Sequence, residues 1–215
     1  METKMWEVLP NKDKEEYKKM ILAFASLSEM FTQKATGSNE VVTPIINSKF
    51  QETVFQKAFH AIAEDIGNTS YDVSLKVNTD GKEYKYLIGI KTFGFTSGDQ
   101  KVAQFKAYQP NYLSFIESIE KITRDKELEK GEIEELNNSN YLHIAKIISE
   151  IRNKRIDSSI ENLKGFKIED NDNVLSVYHV LMPSKKDDIP QIYVGETDYD
   201  KIDIENISIL GCTNK

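Results

Sequence analysis

The chain has 215 residues, 39% of them hydrophobic, with 28 basic and 35 acidic side chains. This length suits one domain or a domain with an appendage, and ten Phe, ten Tyr and one Trp are enough for a packed core. No apolar run is long enough to span a membrane, the first residues lack the apolar stretch of a secretory signal, and the single Cys212 excludes an internal disulfide framework. We therefore expect a cytoplasmic protein without membrane contact.

Hydrophobic spacing predicts two helices followed by a hairpin in the first half of the chain. The helices are expected over residues 12–35 and 48–66, with Ser48 as the N-cap of the second. Two strand-like runs at residues 70–77 and 85–92 flank the turn 78–81. This turn contains an Asp-Gly pair, which is typical of a β-hairpin.

The second half is predicted to be helical and then β-rich. A capping-box pattern at residues 97–100 begins a helix that runs to about residue 109, where Pro110 ends it. Helical periodicity returns over residues 112–136, with Gly131 as a weak point, and over residues 139–163. Strand-like runs follow at residues 174–182, 191–194 and 202–210. This order predicts an α/β domain with a mixed, layered arrangement.

Charge is unevenly distributed along the chain. Ten acids and three lysines lie between residues 169 and 205, a net charge of −7 that equals the charge of the whole chain. Four lysines and one acid lie between residues 85 and 110, so the acidic total does not exclude a local anion-binding surface there. We divide the chain into an α/β core over residues 1–168 and an acidic, β-rich extension of the same domain over residues 169–215.

Glu52 lies on a predicted apolar stripe of the second helix. It is followed at alternating spacings of three and four residues by Phe55, Phe59, Ile62 and Ile66. A carboxylate on such a stripe needs an ionic partner or a bound cation. The alternative is that Glu52, one turn from the helix start, simply faces solvent where acids are common.

Asp72 and Lys91 lie on the two strands of the predicted hairpin. Both side chains are expected at one end of the sheet, and alternation places Gly89 and Lys91 on the face opposite Ile90. A lysine there can hold a phosphate or a water, or it can extend to solvent as lysines at strand ends usually do.

A polar face follows on the next predicted helix. Lys101, Gln104 and Tyr108 are spaced three and four residues apart and begin near a helix N-terminus, which attracts anions. The alternative is an ordinary solvated face. Further along, residues 152–155 include Asn153 and two arginines, which either contact DNA bases or form a solvated helix face.

The order of Glu52, Asp72, Gly89-Ile90-Lys91 and residues 104–108 resembles the PD-(D/E)XK nuclease superfamily, and restriction endonucleases in particular. The resemblance covers about residues 48–110, and residues 104–108 resemble the QxxxY element of the RecB-like branch. It implies a restriction-endonuclease-like mixed sheet flanked by helices. It also implies Mg²⁺-dependent hydrolysis of DNA phosphodiester bonds, with Mn²⁺ as a possible substitute.

The resemblance also implies roles for individual residues. Asp72 and a second carboxylate would bind the metal, and Lys91 would orient the attacking water. The residues expected to contact the DNA are Lys101, Gln104, Lys106 and Tyr108. The position two before the lysine is acidic in the family and is Gly89 here. We expect Glu52 to supply the second carboxylate, with Asp99 as the less favoured donor and Glu64 and Asp65 as further candidates.

We therefore predict a type II restriction enzyme that cuts double-stranded DNA, needs no organic cofactor and belongs to a restriction-modification system. A homodimer is expected because a palindromic site matches two-fold protein symmetry. The alternative is a non-catalytic DNA- or protein-binding module that keeps the nuclease-like fold without the metal site. A third hypothesis is a toxin- or defence-associated protein whose fold is unrelated to nucleases. The sequence names neither a recognition site nor a cut geometry.

Overall fold

A computed structural model describes residues 4–31, 47–64, 69–93, 103, 106–169, 172–183 and 191–210, with backbone alone at residues 28–31, 106, 107 and 183. The α-helices of this described part are α1 (Met5–Val8), α2 (Asn11–Phe31), α3 (Ser48–Phe59), α4 (Leu113–Thr123) and α5 (Lys130–Glu161). Its strands are β1 (Ile62–Ala63), β2 (Val73–Thr79), β3 (Lys82–Thr92), β4 (Val174–Pro183) and β5 (Ile192–Asp198), and a 3₁₀ helix spans Lys106–Tyr112.

The chain divides into two compact units. The first consists of residues 1–100 and 158–200, and it contains α1 to α3 and all the described strands. The second consists of residues 101–157 and 201–215, and it contains α4 and most of α5. The division after residue 168 stays a prediction. No described helix combines the length and the apolar character needed to cross a membrane.

The described strands of the first unit form one mixed sheet in the order β1-β2-β3-β4-β5. β1, β2 and β3 pair antiparallel, β4 lies parallel to β3, and β5 pairs antiparallel with β4. A parallel neighbour needs a long crossover, and the helices α4 and α5 lie in this connection. The prediction of an α/β fold with a mixed sheet and flanking helices is therefore confirmed.

The turn between β2 and β3 is formed by Asp80 and Gly81, whose φ angles are 51° and 74°. A two-residue turn with both φ angles positive matches the twist of antiparallel strands, and Asp-Gly is among the pairs that adopt it most readily. From this turn the hairpin pairs through seven residue pairs to Val73 and Ile88. The predicted hairpin is confirmed.

The core of the first unit includes α2, α3 and one face of the sheet. The buried residues of α3 recur at helical spacing: Gln51, Val54, Phe55, Ala58 and Phe59. The Asn47 side chain caps the start of α3, and His60 ends the helix in a left-handed conformation. The predicted helix over residues 48–66 is thus too long, because Ile62 leaves the helix and pairs with Ser74 in the sheet. Ser48 is the first helical residue rather than the N-cap.

The later boundaries also differ from the predictions. α4 ends at Thr123, and α5 is a single helix of 32 residues that contains Gly131 in its first turn. The predicted strand over residues 202–210 is absent from this described segment. Asn153 of α5 instead binds both the N–H and the C=O of Ile202, at 2.9 and 2.8 Å. The side-chain amide of Asn153, which we predicted to contact DNA bases or to face solvent, is therefore bound to the backbone of Ile202.

A buried carboxylate fixes the loop that follows α5. Glu64, directly after β1, is fully buried and accepts hydrogen bonds from the Ser74 hydroxyl at 2.6 Å and from the N–H groups of Lys164 and Gly165 at 2.9 and 2.8 Å. A buried carboxylate is tolerated when such donors surround it. A Cβ at position 165 would clash with the Ser74 hydroxyl oxygen, so the loop needs glycine there.

Replacing Glu64 tests this anchor. Glu64→Ala should lower the free energy of unfolding of the first unit by about 2–4 kcal/mol, because several buried donors lose their acceptor. Urea unfolding followed by fluorescence of Trp6 measures this, since Trp6 is the chain's single tryptophan and packs against the core of that unit.

The control is Glu15→Ala. Glu15 forms an exposed ion pair with Lys18 on α2, and its loss should leave the unfolding midpoint unchanged. Equal midpoints for Glu64→Ala and the unmodified chain would show that Glu64 does not anchor the loop.

Candidate functional site

Asp72 extends the pairing of the β2–β3 hairpin by one residue. Its N–H donates to the C=O of Ile88 at 2.9 Å, and its Oδ2 accepts from the N–H of Ile90 at 2.6 Å. Because Val73 pairs with Ile88, position 72 lies opposite Gly89. The structure therefore brings Asp72 next to the tripeptide Gly89-Ile90-Lys91.

Lys91 lies near the end of β3, beside the parallel strand β4. Its Nζ is 5.7 Å from the ring centre of Tyr178 on β4, within the range of a cation–π interaction. Tyr178 is the register partner of Gly89, whereas Lys91 itself pairs with Val180. The ammonium group therefore lies over the ring that neighbours Gly89, the residue opposite Asp72.

Two aromatic rings fill the space beside Gly89. A Cβ at this position would lie 2.7 Å from Cε1 of Tyr199 and 2.8 Å from two carbons of the Tyr178 ring. The two rings stack with their centres 4.0 Å apart and their planes 13° apart, and both side chains are buried. No side chain fits at position 89 unless a ring moves, so glycine here is a packing requirement.

Gln51, and not Glu52, is the polar residue on the buried stripe of α3. Gln51 is fully buried, and its amide oxygen accepts a hydrogen bond from the Thr92 hydroxyl, next to Lys91. The Glu52 side chain lies beside the stripe, 16% exposed, and pairs with Lys49 at 2.7 Å. Our expectation that Glu52 lies on the stripe was wrong by one position. α3 contacts the end of β3 through Gln51, the chain neighbour of Glu52.

A buried polar network continues behind Gln51. Its amide Nε2 donates to the Tyr17 hydroxyl at 3.5 Å, and that oxygen lies 2.8 Å from Nε2 of His179. Complete burial lowers the pKa of His179 to about 3, so the imidazole is neutral near pH 7. The Trp6 ring stacks on it at 5.6 Å between ring centres. This histidine belongs to the core and is no candidate for acid–base chemistry.

Several predicted site residues lie outside the described residues. These are Asp65, Asp99, Lys101 and Gln104, together with the side chain of Lys106. Tyr108 is described and 44% exposed, and it belongs to the 3₁₀ helix Lys106–Tyr112. Residues 106–109 of the predicted α-helix are 3₁₀ instead, residue 103 is not helical, and the rest of that prediction lies outside the described residues. Pro110 lacks the N–H that an α-helix needs.

The remaining alternative donor is already engaged. Glu64 is described, and its carboxylate binds Ser74 and the loop at residues 164 and 165. Within the described residues, no group of three or more Asp, Glu, His or Cys side chains is arranged to hold a metal ion. Mg²⁺ usually binds through only one or two protein carboxylates, and waters and substrate phosphate provide the remaining ligands. Such a site needs fewer than three protein side chains.

Sequence reasoning missed Tyr178 and Tyr199. One signal for them was present, since a glycine inside a strand often marks the close approach of another group. Comparisons with known proteins add no further residues: a scan against protein-family models, a search of curated proteins and a search of solved structures each found no match for this chain. Function is therefore inferred from the chain's own residues.

Substituting Gly89 tests the packing at the site. Gly89→Ala should lower the free energy of unfolding by about 1–3 kcal/mol, because the added methyl group overpacks the two tyrosine rings. The measurement is urea unfolding followed by Trp6 fluorescence.

The matched control is Gly195→Ala in β5 of the same sheet. A Cβ there meets its nearest neighbour, Met182, at an ordinary 3.5 Å, so stability should stay the same or rise. An equal loss of stability in both variants would mean that replacing any strand glycine destabilises the sheet, and that the ring pair is not the cause.

Proposed function

We propose that the chain is a metal-dependent nuclease of the restriction-endonuclease kind, which hydrolyses phosphodiester bonds of double-stranded DNA. The observation that carries the proposal is the hydrogen bond from the N–H of Ile90 to Asp72, because it holds a carboxylate beside the residue that precedes Lys91. Metal-assisted phosphoryl transfer needs both a carboxylate ligand and a cationic group near the phosphate.

The packing of the elements also supports the proposal. α3, which carries Glu52, packs against β2 and β3. β2 begins directly after Asp72, and β3 contains Lys91. The three elements that follow one another in the nuclease family, the helix, the strand at the Asp and the strand with the Lys, therefore also contact one another in this fold. An α/β sheet of this kind hosts many functions, so the proposal depends on the residues and not on the fold class.

The residues suggest a division of roles. The carboxylates of Asp72 and Glu52 are hard oxygen ligands suited to Mg²⁺ or Mn²⁺. When bound, the metal would polarise the phosphoryl oxygen and lower the pKa of a bound water. Lys91 orients the water and stabilises the charge that develops on the phosphate. The water oxygen bonds to phosphorus and gives up a proton to solvent, while the bond between phosphorus and the leaving sugar oxygen breaks and that oxygen takes up a proton from solvent.

DNA contacts and a dimer are part of the same proposal. Lys101, Gln104, Lys106 and Tyr108 follow β3 in the chain, and we assign them to the phosphate backbone. These residue types commonly contact phosphates without reading bases. A homodimer would place two sites on a symmetric DNA sequence.

A specific observation favours a second candidate, a non-catalytic DNA- or protein-binding module. The rings of Tyr178 and Tyr199 occupy the volume that a carboxylate at position 89 would need. In addition, Glu52 is paired with Lys49. A chain that had lost its metal site would show both features, so cleavage assays decide between the candidates.

The first test uses Asp72→Asn and Lys91→Ala. Each should reduce cleavage of plasmid DNA in Mg²⁺ or Mn²⁺ by at least about 100-fold, because each removes a charged group that acts on the reacting phosphate. Asparagine keeps an oxygen that can accept from the N–H of Ile90, so Asp72→Asn should unfold at nearly the temperature of the unmodified chain.

The control is Asp198→Asn at the end of the edge strand β5, which should cleave normally. If the unmodified chain binds DNA but leaves it intact in both metals, the non-catalytic module becomes the better description. Full cleavage by Asp72→Asn would remove Asp72 from the site.

The second test concerns the second metal ligand. Calorimetric titration with Mn²⁺ should show about a tenfold or greater loss of affinity for Glu52→Gln, because the amide removes one of only two carboxylates. Asp99→Asn should keep most of the affinity. The reverse result would move the second ligand to Asp99, and unchanged binding in both variants would leave neither as a ligand.

A further inference from the structure

The loop that carries Asp72 is tied to Tyr199. The Tyr199 hydroxyl donates to the C=O of Ser70 at 2.8 Å, and its ring lies 5.1 Å from that of Tyr71. The N–H of Ser70 donates to the Ser159 hydroxyl at 2.7 Å. The two residues immediately before Asp72 are thus held by contacts with later parts of the same unit.

The ammonium of Lys91 lies over the ring of Tyr178, which stacks on Tyr199. One pair of stacked rings therefore contacts both the loop of Asp72 and the side chain of Lys91. A lysine has four rotatable side-chain bonds and samples many positions unless a contact selects one of them. The face of an aromatic ring makes such a contact through its negative potential.

We propose that Tyr178 and Tyr199 are positioning residues of the candidate site: Tyr178 fixes the ammonium of Lys91, and Tyr199 fixes the loop that presents Asp72. The mechanistic value of this positioning rests on the proposed nuclease function. The same two rings exclude a side chain at position 89. The ring pair thus removes one possible ligand position and holds the two charged groups beside it.

The first arm of the test observes Lys91 directly and needs no activity. Lysines are dimethylated with ¹³C-formaldehyde under reducing conditions, and the Lys91 signal is assigned by its absence in Lys91→Arg. A methyl group over a tyrosine face should resonate upfield of exposed lysines. Tyr178→Leu should return the signal to the position of the exposed Lys18, whereas Tyr178→Phe, which keeps a ring, should preserve the shift.

The second arm uses Tyr199→Phe, which keeps the ring stack and removes only the hydroxyl that holds Ser70. The amide proton of Ile90, which donates to Asp72, should shift in this variant, because the loop carrying the acceptor is released. If Tyr178→Leu does not fold, this variant decides the Tyr199 half, and the Tyr178 half is overturned when the Lys91 signal of the unmodified chain is not upfield of the exposed lysines. An unchanged Lys91 signal in folded Tyr178→Leu, or an unchanged Ile90 amide in Tyr199→Phe, overturns the corresponding half of the proposal.

The third arm links positioning to chemistry. Under saturating plasmid DNA with Mg²⁺, Tyr178→Leu should lower kcat by about 10- to 100-fold with little change in KM, since displacement of a reacting group affects the chemical step. Tyr178→Phe should restore the rate. An unmodified chain that does not cut DNA contradicts the nuclease function and leaves the spectroscopic arms to decide the positioning. A cutting enzyme with an unaffected Tyr178→Leu variant contradicts the positioning alone.

Discussion

The register of the β2–β3 hairpin determines the geometry of the candidate site. Asp80 and Gly81 set this register, because both adopt positive φ angles in a two-residue turn, and a turn of this length allows only one pairing of the two strands. A shift of one residue would turn every side chain of β2 to the other face of the sheet. Asp72 would then no longer meet the N–H of Ile90. The site lies seven residue pairs from the turn that fixes it.

β3 is buried on both faces over residues 85–90, as expected for a strand with neighbours on either side. One face packs against α3 and the core, while Gly89 on the other face receives the tyrosine rings. A lysine at each end of this stretch lies over an aromatic ring: Lys85 is its first residue, and Lys91 follows its last. Lys85 lies 5.5 Å from the ring centre of Phe166 and pairs with Asp172 at 2.5 Å, which makes it part of the structural framework. Lys91 lies over Tyr178 at the opposite end, directly after Ile90, whose N–H binds Asp72.

The features that sequence alone predicted are local, and those that it missed depend on distant contacts. The Asp-Gly turn and the alternation of β3 are encoded within a few residues, so the hairpin was predictable. The end of α3 was not, because Ile62 leaves the helix to pair with Ser74. Nor was the phase of α3, since neighbouring helical residues differ in direction by about 100° and a shift of one position exchanges Gln51 for Glu52. Tyr178 and Tyr199 reach Gly89 from segments that follow a long crossover, so a glycine inside a strand indicates a close neighbour without indicating which residues supply it.

Two observations argue against catalysis, the tyrosine rings beside Gly89 and the ion pair between Lys49 and Glu52, and they differ in strength. The rings exclude a ligand at position 89, but they say nothing about a ligand on another element. The ion pair is a competitor for Glu52, yet the Lys49 side chain is 66% exposed. Exposed pairs of this kind contribute only about 0–1 kcal/mol, so a divalent cation with two charges and several oxygen ligands can displace the lysine at little cost. Glu52, one turn into α3, therefore remains chemically competent as the second carboxylate.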